Sequence, residues 1–209
     1  MVKSNVNNPN ATSSSPRTPK AGGSANKPRK QTALMSAAKS GSADRLRSLL
    51  LSQEGGALDA DHNGLTALMW AANFGREACV RLLLASGGAL TVDRYGWTAL
   101  MGAARFGSAP CIQLLLPFSD ALAKDSLGGT ALMHAAACGS AACVALLLPA
   151  SSFLDRTVDG DTASDIARQM GNPTLADLID AHALALRERA SIQAATSCAA
   201  PARPAPKRV

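Results

Sequence analysis

Residues 93–107 read DRYGWTALMGAARFG, and the segment returns along the chain. Its centre, Thr-Ala-Leu-Met, stands at 98–101 and recurs at 32–35, 66–69 and 130–133, with a weaker fifth copy at Thr162-Ala163-Ser164. The copies are spaced 34, 32, 32 and 32 residues apart. Other positions keep step with the threonine. Gly64, Gly96, Gly128 and Gly160 stand two residues before it, and Asp61, Asp93 and Asp125 five before. Leu58, Leu90, Leu122 and Leu154 stand eight before, and Gly41, Gly75, Gly107, Gly139 and Gly171 nine after. Self-similarity at a period of this size predicts stacked units that share one core.

Each repeated position has a physical reading. Asp and Gly before the Thr supply turn chemistry, with Gly at the tip. The Thr opens a short helix of about two turns, rich in Ala so that neighbouring helices approach closely. The later Gly ends that helix, as a glycine past a C-terminus does. A second apolar run follows at helical spacing: Leu46 to Leu50, Val80 to Leu84, Ile112 to Leu116, Val144 to Leu148 and Leu175 to Ile179. Neither helix can bury its apolar face alone, whereas stacked copies make a continuous core.

The pattern Asp-x-x-Gly-x-Thr-x-Leu-x-x-Ala-Ala-x-x-Gly, read from Asp93 to Gly107 and followed by the Leu-rich second run, resembles the ankyrin repeat. The resemblance covers about residues 31–185. It implies an all-α repeat solenoid of about five stacked repeats, each a helix-turn-helix with a short β-hairpin loop. The repeats fall near 31–58, 59–90, 91–122, 123–154 and 155–190. Two departures stand out. The family has Pro-Leu-His after the Thr, so Met35, Met69, Met101 and Met133 must replace a hydrogen-bonding His by apolar packing. Three spacings are 32, against about 33 in the family, and the shortening falls between Leu90 and Asp93 and at equivalent places. The end repeats are atypical. Repeat one lacks the Asp and Gly before Thr32, so no hairpin is expected there. Its second helix carries Asp44, Arg45, Arg47 and Ser48. Repeat five ends in Asp177, Asp180 and Arg187-Glu188-Arg189, its second helix running to about Ala190.

The chain has 209 residues, 47% of them apolar but only 3% aromatic, with a net charge of +6. These figures exclude a collagen, a disulfide scaffold and a wholly disordered chain. Residues 1–30 hold six basic and no acidic residues, and 190–209 hold three basic and none acidic. Residues 31–189 hold 12 basic against 15 acidic, a net −3. Segments 1–30 and 191–209 therefore read as disordered basic tails, Ser/Pro/Asn-rich and Ala/Pro-rich respectively. Ser15-Pro16 and Thr18-Pro19 have the form of proline-directed phosphorylation sites. No secretory signal and no apolar run long enough to span a membrane is present, so the sequon at Asn10 is a chance match. The expected location is intracellular, cytoplasmic before nuclear, and Met1 with a tapering tail reads as a complete chain.

Catalytic and metal-binding patterns are missing. Cys79, Cys111 and Cys143 share one position in the second helix, and adjacent stacked helices lie about 10 Å apart. That is too far for a disulfide or a shared zinc, so the three read as core, Cys138 as partly exposed and Cys198 as a tail thiol. His62, His134 and His182 show no metal-ligand spacing. No enzymatic activity, cofactor or small-molecule substrate is expected.

Function in such a stack falls on positions the core does not use. The resemblance places them at hairpin tips and on the exposed face of the first helices. The candidates here are His62, Asn63, Leu65 and Phe74 in repeat two, Arg94, Tyr95, Trp97, Arg105 and Phe106 in repeat three, and Leu127 in repeat four. Trp, Tyr and Arg dominate interface hot spots. Tyr95 and Trp97, two residues apart, face the same side if their segment is extended. The reading is a monomeric, non-catalytic scaffold or adaptor that binds a protein partner in its groove. The alternative is a nuclear or nucleic-acid-associated factor using the basic tails, though a −3 repeat region argues against a large phosphate footprint.

Overall fold

A computed structural model describes residues 32–52, 56–85, 88–152 and 154–198. The expected leader at 1–30, with Ser15 and Thr18, and residues 199–209 lie outside the described residues, as does any turn before Thr32. Ten α-helices alternate between two rows. The first row holds α1 (Ala33–Ser40), α3 (Ala67–Asn73), α5 (Ala99–Phe106), α7 (Ala131–Cys138) and α9 (Ala163–Gln169). The second holds α2 (Ala43–Ser52), α4 (Glu77–Leu84), α6 (Ala109–Leu115), α8 (Ala141–Leu147) and α10 (Pro173–Cys198). Each first-row helix packs on the next copy, α1 on α3, α3 on α5, α5 on α7 and α7 on α9. The stack is thus an all-α repeat solenoid.

Local chemistry sets each helix. The hydroxyls of Thr32, Thr66, Thr98 and Thr130 accept from the backbone N–H of Met35, Met69, Met101 and Met133 at 3.2–3.5 Å, the N-cap bond that satisfies an orphan donor. Thr162 caps Asp165 in the same way, and the Asp165 carboxylate accepts from the Thr162 N–H at 3.1 Å. Hydrogen bonds from the Thr162 hydroxyl and then its backbone hold the Asp165 carboxyl below the ordinary range. Paired alanines at 71–72, 103–104 and 135–136 are buried, so adjacent first-row helices meet without bulk between them. The four repeated methionines are buried beside them, filling the place the sequence assigns them.

The hairpins Asp61–Gly64, Asp93–Gly96 and Asp125–Gly128 form as expected. The first two are closed by single bridges, Ala60 with Thr66 and Val92 with Thr98, and no sheet forms among the described residues. The Asp93 Oδ1 accepts from the N–H groups of Tyr95 and Trp97, both at 2.8 Å, and Asp125 does the same for Leu127 and Gly129. Consecutive tips are joined by backbone. Arg94 N–H donates to Asn63 O at 3.1 Å, Ser126 to Tyr95 O at 2.7 Å and Val158 to Leu127 O at 2.9 Å. Gly96 has φ 74°, and a Cβ there would stand 3.0 Å from Lys124 O. Only glycine suits both the left-handed backbone and that approach.

One boundary is corrected. The last helix runs on to Cys198, past the expected limit near 190. Residues 190–198 contain neither Gly nor Pro, and the first proline comes at Pro201. A composition reading of 191–209 merged this helix-compatible stretch with the proline-rich end.

Cys79, Cys111 and Cys143 are fully buried, and burial pushes all three thiols up. Cys138 is exposed. In a Cys198→Ser background, one thiol should therefore react at once with an aromatic disulfide reagent, and three only as the stack unfolds. Fast release of more than one equivalent from native protein would contradict this packing.

Candidate functional site

The fourth residue after the Thr differs in every central repeat: Trp70, Gly102, His134. In repeat two, the Trp70 Nε1–H donates to Asp61 Oδ2 at 3.3 Å. In repeat four, His134 Nε2 meets Asp125 Oδ2 at 2.8 Å. A carboxylate only accepts, so Nε2 carries the proton. Repeat three has no side chain to offer, and Asp93 Oδ2 has no donor among the described residues.

Between repeats two and three lies a hollow of about 430 Å³, a size typical of ligand pockets. Its aromatic walls are Trp70, Phe74, Trp97 and Phe106, with Asn73 and Arg105 as polar lining and Gly102 beneath. Helices α3 and α5 supply all of these but Trp97, which the hairpin before α5 brings in, and Phe74, which caps α3. Trp70 and Phe74 stack with centroids 6.0 Å apart and planes 15° from parallel. The Lys39 ammonium sits over both, 5.0 Å from the Trp70 ring and 5.5 Å from Phe74. Trp97 leans on His134 at 4.4 Å, and the Arg105 guanidinium lies 5.7 Å from the Trp97 ring. Phe106 packs on Gly75 of the preceding repeat, where an added Cβ would collide with its ring, yet it stays 53% exposed.

Lys39 and Arg105 have no carboxylate partner among the described residues. Burial pushes the His134 imidazole below its ordinary value. The hydrogen bond to Asp125 pulls it upward, and the nearby Arg105 charge pushes it down again. Arg105 is the charged residue in the hollow's lining, and Lys39 lies against two of its aromatic walls, Trp70 and Phe74.

The structure sorts the expected residues into two groups. Trp97, Arg105, Phe106 and Phe74 come together in the hollow. His62, Arg94, Tyr95 and Leu127 are exposed along the hairpin tips and do not line it. Asn63 is half-buried with its carbonyl in the tip-to-tip bonding, and Leu65 packs partly against the core. The expected pairing of Tyr95 with Trp97 on one extended face is corrected: Asp93–Trp97 is a tight turn, with left-handed Gly96 between the two rings. Trp70, Gly102 and Lys39 escaped the sequence reading as site residues. The available signal was the contrast Trp70, Gly102, His134 at one repeat position.

Among the described residues no cluster of His, Cys, Asp or Glu could hold a metal ion, and no helix is long and apolar enough to cross a membrane. A search of curated proteins gave no match. The family profile described as ankyrin repeats (3 copies) matches at residues 15–93, 34–125 and 100–183. With the profile matched over most of its length and the repeats stacked in three dimensions, the chain belongs to the ankyrin-repeat family.

Proposed function

We propose that the chain is a non-catalytic interaction module whose protein partner docks on the aromatic hollow between repeats two and three. Ankyrin repeats are in general protein–protein interaction modules. The observation that carries the reading is the clustering of aromatic rings. The chain has seven aromatic residues, and Trp70, Phe74, Trp97 and Phe106 line one hollow beside Arg105. Large rings next to an arginine, partly desolvated and rimmed by polar groups, are the composition of an interface hot spot. Tyr95, Arg94, His62 and Leu127 extend the surface along the tips, where exposed charge tunes association rate and salt dependence more than affinity.

The test is Trp97→Ala, measured against a purified partner first located on this chain by crosslinking. Binding should weaken by about 2 kcal/mol or more, the hot-spot scale, or roughly thirtyfold in Kd. The stack should stay folded, because Leu100 and Leu115 beneath are untouched. Normal binding by Trp97→Ala, with loss on deleting residues 1–30, would move the function to the basic tails.

A further inference from the structure

On the reading of the hollow as a docking site, we propose that its occupant is an acidic peptide segment carrying one bulky apolar side chain. The apolar group enters between the rings beside Asn73, and its flanking carboxylates meet Lys39 and Arg105. The space argument comes from the repeats themselves. Trp70 and His134 fill the equivalent position on either side, whereas Gly102 is overlaid by the short Asn73 side chain, and the space left between the rings is open to a guest. The Asn73 carboxamide stands over Gly102, with Oδ1 2.6 Å from where a Cβ would lie. It has no hydrogen-bond partner among the described residues, so it is placed to bond the guest's backbone.

Charge chooses the partner. Arg105 lines the hollow over the Trp97 ring, Lys39 lies against the Trp70 and Phe74 walls, and neither is ion-paired to a carboxylate among the described residues. The hollow's lining contains no carboxylate. Asp61 and Asp125 are turned to their own hairpins and to Trp70 and His134, and Asp93 ties its hairpin through Oδ1 while its Oδ2 has no donor among the described residues. An arginine fork and an ammonium then await an anion. The chain's own tails do not supply it, because residues 1–30 and 190–209 carry only basic charge. A nucleic acid could stack its bases on the same rings. Its phosphates, however, need a run of cations, and residues 31–189 carry 12 basic against 15 acidic residues.

The protein carries its own reporter. Its two tryptophans, Trp70 and Trp97, both line the hollow. The full chain is titrated with a tryptophan-free synthetic peptide in which a central Phe is flanked on both sides by Glu and Asp. Saturable change in tryptophan emission is expected, at least tenfold weaker when Phe becomes Ala or the acids become Lys, and weakened by salt. Lys39→Glu and Arg105→Glu should each reduce affinity at least fivefold. Gly102→His, which installs the side chain of repeat four and must push the Asn73 carboxamide aside, should abolish binding, with circular dichroism checking that the stack stays folded. The proposal is overturned if the acidic peptide does not saturate, if the Lys-flanked peptide or an oligothymidylate binds more tightly, or if Gly102→His binds normally. A displayed library of random peptides separates this from the broader reading. Selected sequences without acids that require Trp97 overturn the acidic occupant and leave the docking site standing. Selection insensitive to Trp97→Ala overturns both, and no selection overturns the acidic occupant.

Discussion

Gly96→Ala is expected to destabilise the stack by about 2.5 kcal/mol, against about 1.5 kcal/mol for Gly160→Ala. Both glycines sit two residues before the repeat threonine, with φ of 74° and 90°. A left-handed backbone costs an L-residue about 1–2 kcal/mol, and this part is common to both. The neighbours differ. At Gly96 an added Cβ meets Lys124 O at 3.0 Å and Asp125 Cα at 3.2 Å, backbone atoms that cannot swing aside. At Gly160 nothing lies within 4 Å, since no further hairpin packs on it among the described residues. Relieving the contact at Gly96 must open the next hairpin and lengthen the Ser126-to-Tyr95 bond, costing about 1 kcal/mol more. Urea unfolding of the two variants gives the comparison directly. Equal losses would show that the tips are not held together as described.

Leu100→Ala is expected to cost about 3 kcal/mol, within the range for deleting a buried leucine side chain. Leu100 is fully buried in α5, between the neighbours α3 and α7. In a stack, stability is a sum of repeat and neighbour-interface contributions, so weakening the middle unit loosens both of its interfaces. The unfolding transition should broaden or split. Leu34→Ala is the counterpart in α1, equally buried but, among the described residues, with a neighbour repeat on one side only. It should fray the end and leave the emission of Trp97 in its native state longer. A single sharp transition with the same loss for both variants would contradict neighbour-by-neighbour stacking.

Most of the fold was legible because each repeated residue does the same physical task in every copy. Thr98 caps a helix, Asp93 ties a turn, Gly107 ends a helix and Met101 fills the core, and each task needs that residue type at that offset. What differs between copies was harder to read. The hollow is lined by residues of two neighbouring repeats, so it is not a property of any one copy. Lys39 of repeat one lies against the Trp70 and Phe74 rings of repeat two, a contact that no position within a single repeat predicts. Tyr95 and Trp97 were separated by a backbone conformation that alternation along a strand does not describe. The length of α10 depended on where Pro201 falls, and averaging the tail's composition concealed that.

The tip-to-tip bonds carry a genetic implication. They run from one backbone to the next, Asn63 O to Arg94 N–H and Tyr95 O to Ser126 N–H, and ask only that the glycine before each threonine be kept. Side-chain identity at the tips is therefore released from the task of joining repeats. A 32-codon segment can be duplicated or lost in frame, and the new junction would re-form from main-chain atoms already present on both sides. The tip residues of the added copy would then drift freely, so that gene length sets the length of the surface while point mutation sets what it recognises.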